Sequence, residues 1–253
     1  MDLLISSATH RSGSTLVQRI FNARKKTLVW GENGGCLTEF CQIYNNALHY
    51  SEAFKEERET YFNEGLDPNL WIACMTPPKE ILKETIIQTV KDFHYKLYEK
   101  EYEKDFDMIG YKEVRYGMEE LRLFRECYPD CPVILLIRHP VDVWKSVSRR
   151  ARNERYGSVE DFSQLWKRRV TEYIKLDEKD PHMHLIRYED VADKKVETLS
   201  LLKSLGKLGE QEIDHVLEVV ISSSRKKTPP RDIAKINALC QNVMAEVGYE
   251  KIK

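Results

Sequence analysis

The sequence predicts an α/β fold: a central parallel sheet flanked by helices and carrying a helical cap. Three observations predict it. Short apolar runs recur at Leu3–Ile5, Leu28–Trp30, Met108–Tyr111, Val133–Ile137 and His184–Arg187. Longer segments of helical periodicity separate them, the alternation expected of a parallel sheet. The first run feeds a loop of small residues that opens a helix. A chain of 253 residues with 42% hydrophobic content can bury one substantial core, so residues 1–253 are expected to form a single domain.

Taken in order, the first element is the strand Leu3-Leu4-Ile5, followed by Ser6 to His10, then Arg11-Ser12-Gly13-Ser14-Thr15, then a helix marked by Leu16, Val17, Ile20 and Phe21. Unpaired backbone N–H groups at the positive end of a helix dipole suit a phosphate or sulfate. No Gly-Lys-Ser/Thr follows the first glycine, and the cation, Arg11, precedes it, which argues against ATP. The second strand, Leu28–Trp30, runs into the turn Gly31-Glu32-Asn33-Gly34-Gly35. On turn chemistry alone Glu32 is a solvated carboxylate.

Residues 37–105 are too many for a simple crossover. They hold two helical patterns, Leu37 to Asn63 and Lys79 to Lys104, split at Thr76-Pro77-Pro78, and are expected to form a cap. The cap's aromatic residues Tyr44, Tyr50, Phe54, Tyr61, Phe62, Phe93, Tyr95 and Tyr98 read more readily as packing than as an acceptor pocket. The third strand, Met108–Tyr111, is followed by Lys112, which otherwise reads as a surface lysine paired with Glu113 or Glu119.

The fourth strand, Val133–Ile137, ends in Arg138-His139-Pro140, with Pro140 placed to start a helix bearing Val143, Ser146, Val147 and Arg150. An arginine there, where a magnesium-dependent phosphotransferase would want a carboxylate, offers a planar fork to an oxyanion and points to metal-free chemistry. On one helix Ser146 and Arg150 share a face and, with Arg138, grip one phosphate. The alternative is an exposed basic helix, because Lys145, Arg149 and Arg152 lie close by. The fifth strand, His184–Arg187, is followed by Tyr188. Ligands of such sheets gather beyond the carboxyl ends of the strands, which singles out Arg11, Glu32, Lys112, Arg138 and Tyr188.

Composition bounds the partners. With 40 Lys+Arg against 41 Asp+Glu the net charge is −1, so no global basic field recruits nucleic acid or anionic lipid. The 6 cysteines form no CxxC pair and have no zinc-like histidine spacing, so reduced thiols, no metal site and a cytoplasmic setting are expected. No run approaches the roughly 18 apolar residues of a membrane span.

Two segments together carry a resemblance. Arg11-Ser12-Gly13-Ser14-Thr15-Leu16 resembles the loop with which sulfotransferases bind the 5′-phosphosulfate of 3′-phosphoadenosine 5′-phosphosulfate (PAPS). Arg138 and Ser146, eight positions apart on a strand-to-helix turn, resemble the family's pair for the donor's 3′-phosphate. Ile186-Arg187-Tyr188-Glu189-Asp190 is similar to the family's late strand segment, and Val247-Gly248-Tyr249 to its Leu/Val-Gly-Tyr ending. The resemblance implies a P-loop-like three-layer fold and covers the chain except residues 37–105.

Cytosolic sulfotransferases of phenols and steroids carry a lysine in the first loop and a histidine base. Arg11 instead resembles the branch of bacterial, carbohydrate and tyrosylprotein sulfotransferases. In the last group a glutamate 21 positions after the loop arginine is the base, and Glu32 stands 21 after Arg11. Lys112 resembles a lysine of that branch that supports the departing oxygen. The resemblance thus implies Glu32, Arg11 and Lys112 as catalytic residues. It implies Arg11, Ser12, Gly13, Ser14, Thr15, Arg138, Ser146, Arg150, Tyr188 and Arg231 for PAPS or its product PAP. Arg231 belongs to the basic stretch Ser224 to Arg231, which resembles a late loop that closes over the donor in relatives and otherwise reads as solvated. His10 and His139 each neighbour an anion-binding arginine and are left out of catalysis.

The function implied is transfer of a sulfuryl group to a hydroxyl, with a carbohydrate or small natural-product alcohol as acceptor. The alternatives left open are a P-loop nucleotide kinase and a non-catalytic nucleotide-binding docking protein.

Overall fold

In the computed structural model, which describes residues 1–219 and 228–252, five strands form one parallel sheet in the order β2-β3-β1-β4-β5. They are β1 (Leu3–Ser7), β2 (Thr27–Trp30), β3 (Met108–Glu113), β4 (Val133–Ile137) and β5 (Met183–Arg187). β1 and β4 lie side by side, Ile5 in register with Ile134, and the chain leaves them towards opposite edges of the sheet. The crevice beyond their carboxyl ends is therefore the switch point where such sheets bind ligands.

Strand β4 is apolar throughout, and β1 and β3 begin apolar, because both faces of the sheet are covered. Leu3 and Ile5 point to one layer, where they meet Val17, Ile20 and Phe21 of α1 (Ser14–Asn22). Leu4, with Val133, Leu135 and Ile137 of β4, points to the other. That second layer holds α2 (Cys36–Ala53), which α3 (Lys55–Asn63) follows without adding a residue to this core, and then α4 (Lys79–His94), α5 (Met118–Cys127), α6 (Pro140–Ser146), α7 (Arg149–Tyr156) and α8 (Val159–Asp177). After β5 come α9 (Tyr188–Ala192), α10 (Val196–Gly206) and α11 (Glu210–Leu217), with Val191, Leu202 and Ile213 on the α1 side, and α12 (Pro230–Glu246), which packs along α8. The sheet is thus the middle of three layers.

The segment between β2 and β3 is helical. α2 and α4 pack against each other and on α5, burying Leu37, Cys41, Ile86 and Val90. Its aromatic residues divide: Tyr98 stacks on Tyr111 of β3 and Phe93 meets Phe40 edge-on, whereas Tyr50, Phe62 and Tyr95 lie at the surface. A π-helical turn, Tyr95–Glu99, ends α4 earlier than the periodicity predicts.

Two local expectations change. β3 extends two residues further than its apolar run, so Lys112 lies within the strand, in register with Ile5, and not beyond it. Its side chain is buried at 8% exposure, because pairing along β1 continues through the polar residues. The helix begun by Pro140 stops at Ser146, where Val147 turns extended, and Ser148 caps a separate helix by accepting from the Ala151 amide at 3.2 Å. Ser146 and Arg150 therefore sit on different helices and share no face.

The six cysteines are all free. Among the described residues no helix is long and apolar enough to cross a membrane.

Candidate active site

A cleft of about 500 Å³ opens at the switch point. Its floor is the loop between β1 and α1. Arg11 and Gly13 both adopt positive φ, 69° and 91°. A non-glycine residue there is uncommon and costs of order 1–3 kcal/mol, so the surrounding structure must hold it. Part of the hold is internal: the Ser12 hydroxyl, 1% exposed, donates to the Thr9 carbonyl at 2.8 Å and lies 3.1 Å from the Thr9 hydroxyl. Part comes from Tyr188, whose ring covers Gly13 so closely that a Cβ there would stand 2.1 Å from Cδ2. Gly13 is also the N-cap of α1 and offers no side-chain cap, so the first amides of the helix face the cleft with its dipole behind them.

Arg138 closes this end. Its Nη1 donates to the Arg11 carbonyl at 3.1 Å and its guanidinium lies 4.4 Å from the centre of the Tyr188 ring. Its Nε is buried without a protein partner. A buried guanidinium donor, free helix amides and a glycine cradle together form a site for an anionic ligand.

The opposite end is built from side-chain charges. Glu32 Oε1 accepts from Lys112 Nζ at 2.8 Å and Oε2 from Arg115 Nη1 at 3.2 Å. Glu113, fully buried, holds the turn that positions Glu32. Its Oε2 accepts from the amides of Gly35 at 2.9 Å and Asn33 at 3.2 Å. Its Oε1 accepts from the Val114 amide at 2.8 Å, and it also pairs with Arg115. Gly35, at φ 85°, permits the turn.

Burial pushes the Glu32 carboxyl up, but the hydrogen bond and charge of Lys112, with His10 and Arg115, outweigh it and leave the group below the ordinary carboxylate range. His10 lies at the same end. Burial, then the charges of Arg155, Arg115 and Lys112, opposed by Glu32, bring its imidazole down to about 4. It is neutral near pH 7.

Of the residues singled out from sequence, Arg11, Gly13, Ser14, Thr15, Glu32, Arg138 and Tyr188 line this cleft, and Lys112 reaches it through Glu32. Ser12 is spent on the loop's own hydrogen bonds. The Ser146 hydroxyl donates to the Val143 carbonyl at 2.7 Å, and Arg150, 89% exposed, pairs with Glu154 at 2.7 Å. Arg231 is exposed in the first turn of α12. Residues 224–227 of the basic stretch lie outside the described residues.

His139 is a strut: its backbone N–H donates to Glu189 Oε1 at 3.0 Å, Nδ1 accepts from the Val141 amide, and Nε2 bonds to the Glu250 carbonyl at 2.8 Å. Tyr249 donates to Glu189 at 2.6 Å, and Arg187 to the Gly248 carbonyl at 2.8 Å. The Val-Gly-Tyr ending thus braces the ends of β4 and β5 beneath the cleft.

Sequence reasoning missed Glu113, Arg115 and Arg155. Glu113 follows Lys112 directly and Arg115 comes two residues after Glu113, so a β3 extended by its pairing with β1 would have brought Glu113 to the strand end and Arg115 just past it; Arg155 has no signal within its own helix. Among the described residues no group of three or more His, Cys, Asp or Glu side chains is placed to hold a metal.

Comparison with known proteins bears on this geometry. A model of the Sulfotransferase family matches residues 7–206, which include the loop, Glu32, Lys112, Arg138 and Tyr188. Among solved structures, sulfotransferase STF1 from Mycobacterium tuberculosis H37Rv superposes with a TM-score of 0.50 at 10% identity, over 96% of this chain and 76% of that one. At that identity the likeness concerns the fold alone. Mouse sulfotransferase SULT7A1 complexed with PAP gives 0.48 at 10% identity, over 98% and 85% of the two chains. A sulfotransferase from Alicyclobacillus acidocaldarius gives 0.45 at 14%, over 99% and 97%. No curated protein sequence matches.

Proposed function

The chain belongs to the sulfotransferase family, and from that premise we propose that it transfers a sulfuryl group from PAPS to the hydroxyl of a carbohydrate or small natural-product alcohol, as one domain in which α2–α4 form the acceptor-side insertion. Bound PAPS supplies an activated sulfuryl group on a phosphate leaving group. The residues present fit it: free amides at Ser14 and Thr15, the Gly13 cradle under Tyr188 and the unpartnered Nε of Arg138 are donors to phosphate oxygens.

Ser12 to Thr15 and Arg11 hold the 5′ end of the donor. Arg138 takes the 3′-phosphate, with Ser146 beside it and Arg150, exposed and paired with Glu154, adding only a weak solvent-screened contact, and Arg231 closes from α12. Glu32 is the general base that accepts the proton of the acceptor hydroxyl. Lys112 stabilises negative charge growing on the departing oxygen. Their mutual hydrogen bond opens for both to act: as Nζ turns towards the developing charge, Oε1 is freed for the proton.

The observation that carries this reading is the Glu32–Lys112 pair at 2.8 Å in the cleft whose other end is the anion loop. Calorimetric titration of PAP against ADP and ATP, with and without magnesium, tests it. Metal-independent binding that requires the 3′-phosphate is the expected result; a preference for ATP with magnesium would overturn it.

A further inference from the structure

Helix α7 carries four arginines in eight residues, Arg149, Arg150, Arg152 and Arg155. Arg150 points to solvent and Glu154. Arg152 turns inward, 7% exposed, and donates to the Trp144 carbonyl through Nε at 3.0 Å and Nη2 at 2.6 Å and to the Thr228 hydroxyl at 3.1 Å. Tyr156 is buried against Trp144 and Phe162. These two anchors fix the face of α7 that presents Arg155, one turn on from Arg152, to the cleft.

Arg155 lines the same cleft as His10 and Glu32. Glu32 and Glu113 are taken up by Lys112 and Arg115, whereas Arg155 makes no ion pair among the described residues. Both carboxylates are thus already paired, and Arg155 faces the cleft without one. Arg138 and the loop amides serve the other end.

We propose that Arg155 binds an anionic group carried by the acceptor, a carboxylate or a sulfate, so that the substrate is an acidic hydroxyl compound such as a uronic acid or an already sulfated sugar. The inference rests on the sulfotransferase reading above. A guanidinium matches either group with two parallel hydrogen bonds. A neutral acceptor leaves Arg155 in water and gains nothing from it, so the contact discriminates by about threefold for an exposed cation.

NMR titration of the ¹⁵N-labelled, PAP-saturated protein tests the assignment, with inorganic sulfate, methyl β-D-glucuronide and methyl β-D-xyloside as probes. The xyloside is the glucuronide without its carboxylate. Saturable shifts at His10 and along α7 are expected with sulfate, the glucuronide or both, and not with the xyloside. Arg155→Gln should weaken the anion about threefold, and Arg155→Lys, which keeps the charge, by less. Equal shifts from the xyloside, no response to either anion, or anion binding unchanged in Arg155→Gln would each overturn the proposal. Loss of PAP affinity in Arg155→Gln would do so too, by assigning the cation to the donor. Failure of the wild type to bind PAP is a separate result, which removes the sulfotransferase reading beneath it.

Discussion

The two ends of the cleft are built by different means. At the loop end, the proposed donor side, the candidate binding groups are mainly backbone amides, shaped by two positive-φ residues and pressed into place by the Tyr188 ring. On the Glu32 side, the proposed acceptor side, they are side chains, Glu32, Lys112 and Arg115 from the turn after β2, from β3 and its following loop, joined in our proposal by Arg155 from α7. A backbone site is set by local geometry and has little to titrate. A site of paired charges is set by tertiary structure and responds to pH and to the loss of any partner. The contrast teaches that binding and chemistry should separate on mutation.

The largest expected effect is at the acceptor end. Glu32→Gln should lower turnover by roughly 10² to 10⁴, measured as release of PAP, because the amide cannot take the hydroxyl proton. Next is the donor end. Arg138→Ala should weaken PAP by about 10- to 100-fold by calorimetry, the loss of a charge-assisted contact. Gly13→Ala should weaken PAP about tenfold and lower the thermal midpoint, since a Cβ 2.1 Å from Tyr188 and a φ of 91° both resist it. An alanine that binds PAP normally would break the account of the cradle.

The pH response sharpens the comparison further. Lys112 lowers the Glu32 carboxyl, so Lys112→Met should raise it, and the acid limb of kcat/KM, which requires ionised Glu32, should move to higher pH. An unmoved limb would mean that another group is the base. His10 and buried His94 are each brought to about 4 in the folded protein, chiefly by burial. The unfolded chain binds more protons between about 4 and 6.5, so stability in urea should rise with pH across that window and fall as acid is added through it. The smallest effect is expected at Arg150, exposed and paired only with Glu154: alanine there should change PAP affinity about threefold or less.

The same contrast governs what could be read from sequence. The donor end was legible because strand, loop and helix are contiguous: Leu3 to Phe21 contains the cradle, and Arg138 needed one further strand end. The strand positions followed from apolar runs, and the sheet's parallel order put both segments at the switch point. Legibility failed where polar residues continue an element. Lys112 and Glu113 are charged yet lie in β3, because pairing with Ile5 and Ser6 of β1 extends the strand. It failed again where a helix breaks without glycine or proline, as at Val147, which separated Ser146 from Arg150. Arg155 reaches the cleft through the packing of Arg152 and Tyr156, a tertiary fact with no local pattern. Glu32, which lines the cleft, was singled out by its spacing from Arg11 and the family resemblance, since turn chemistry alone left it in solvent.

The central claim, that one end of the cleft holds the donor and the other carries out the proton transfer, is tested most directly by measuring PAP affinity and PAPS turnover side by side in Arg138→Ala and Glu32→Gln. The account predicts that Arg138→Ala loses PAP affinity by about 10- to 100-fold, while Glu32→Gln keeps it within about twofold and loses turnover by at least roughly 10². Equal loss of PAP affinity in both variants, or full turnover in Glu32→Gln, would contradict it.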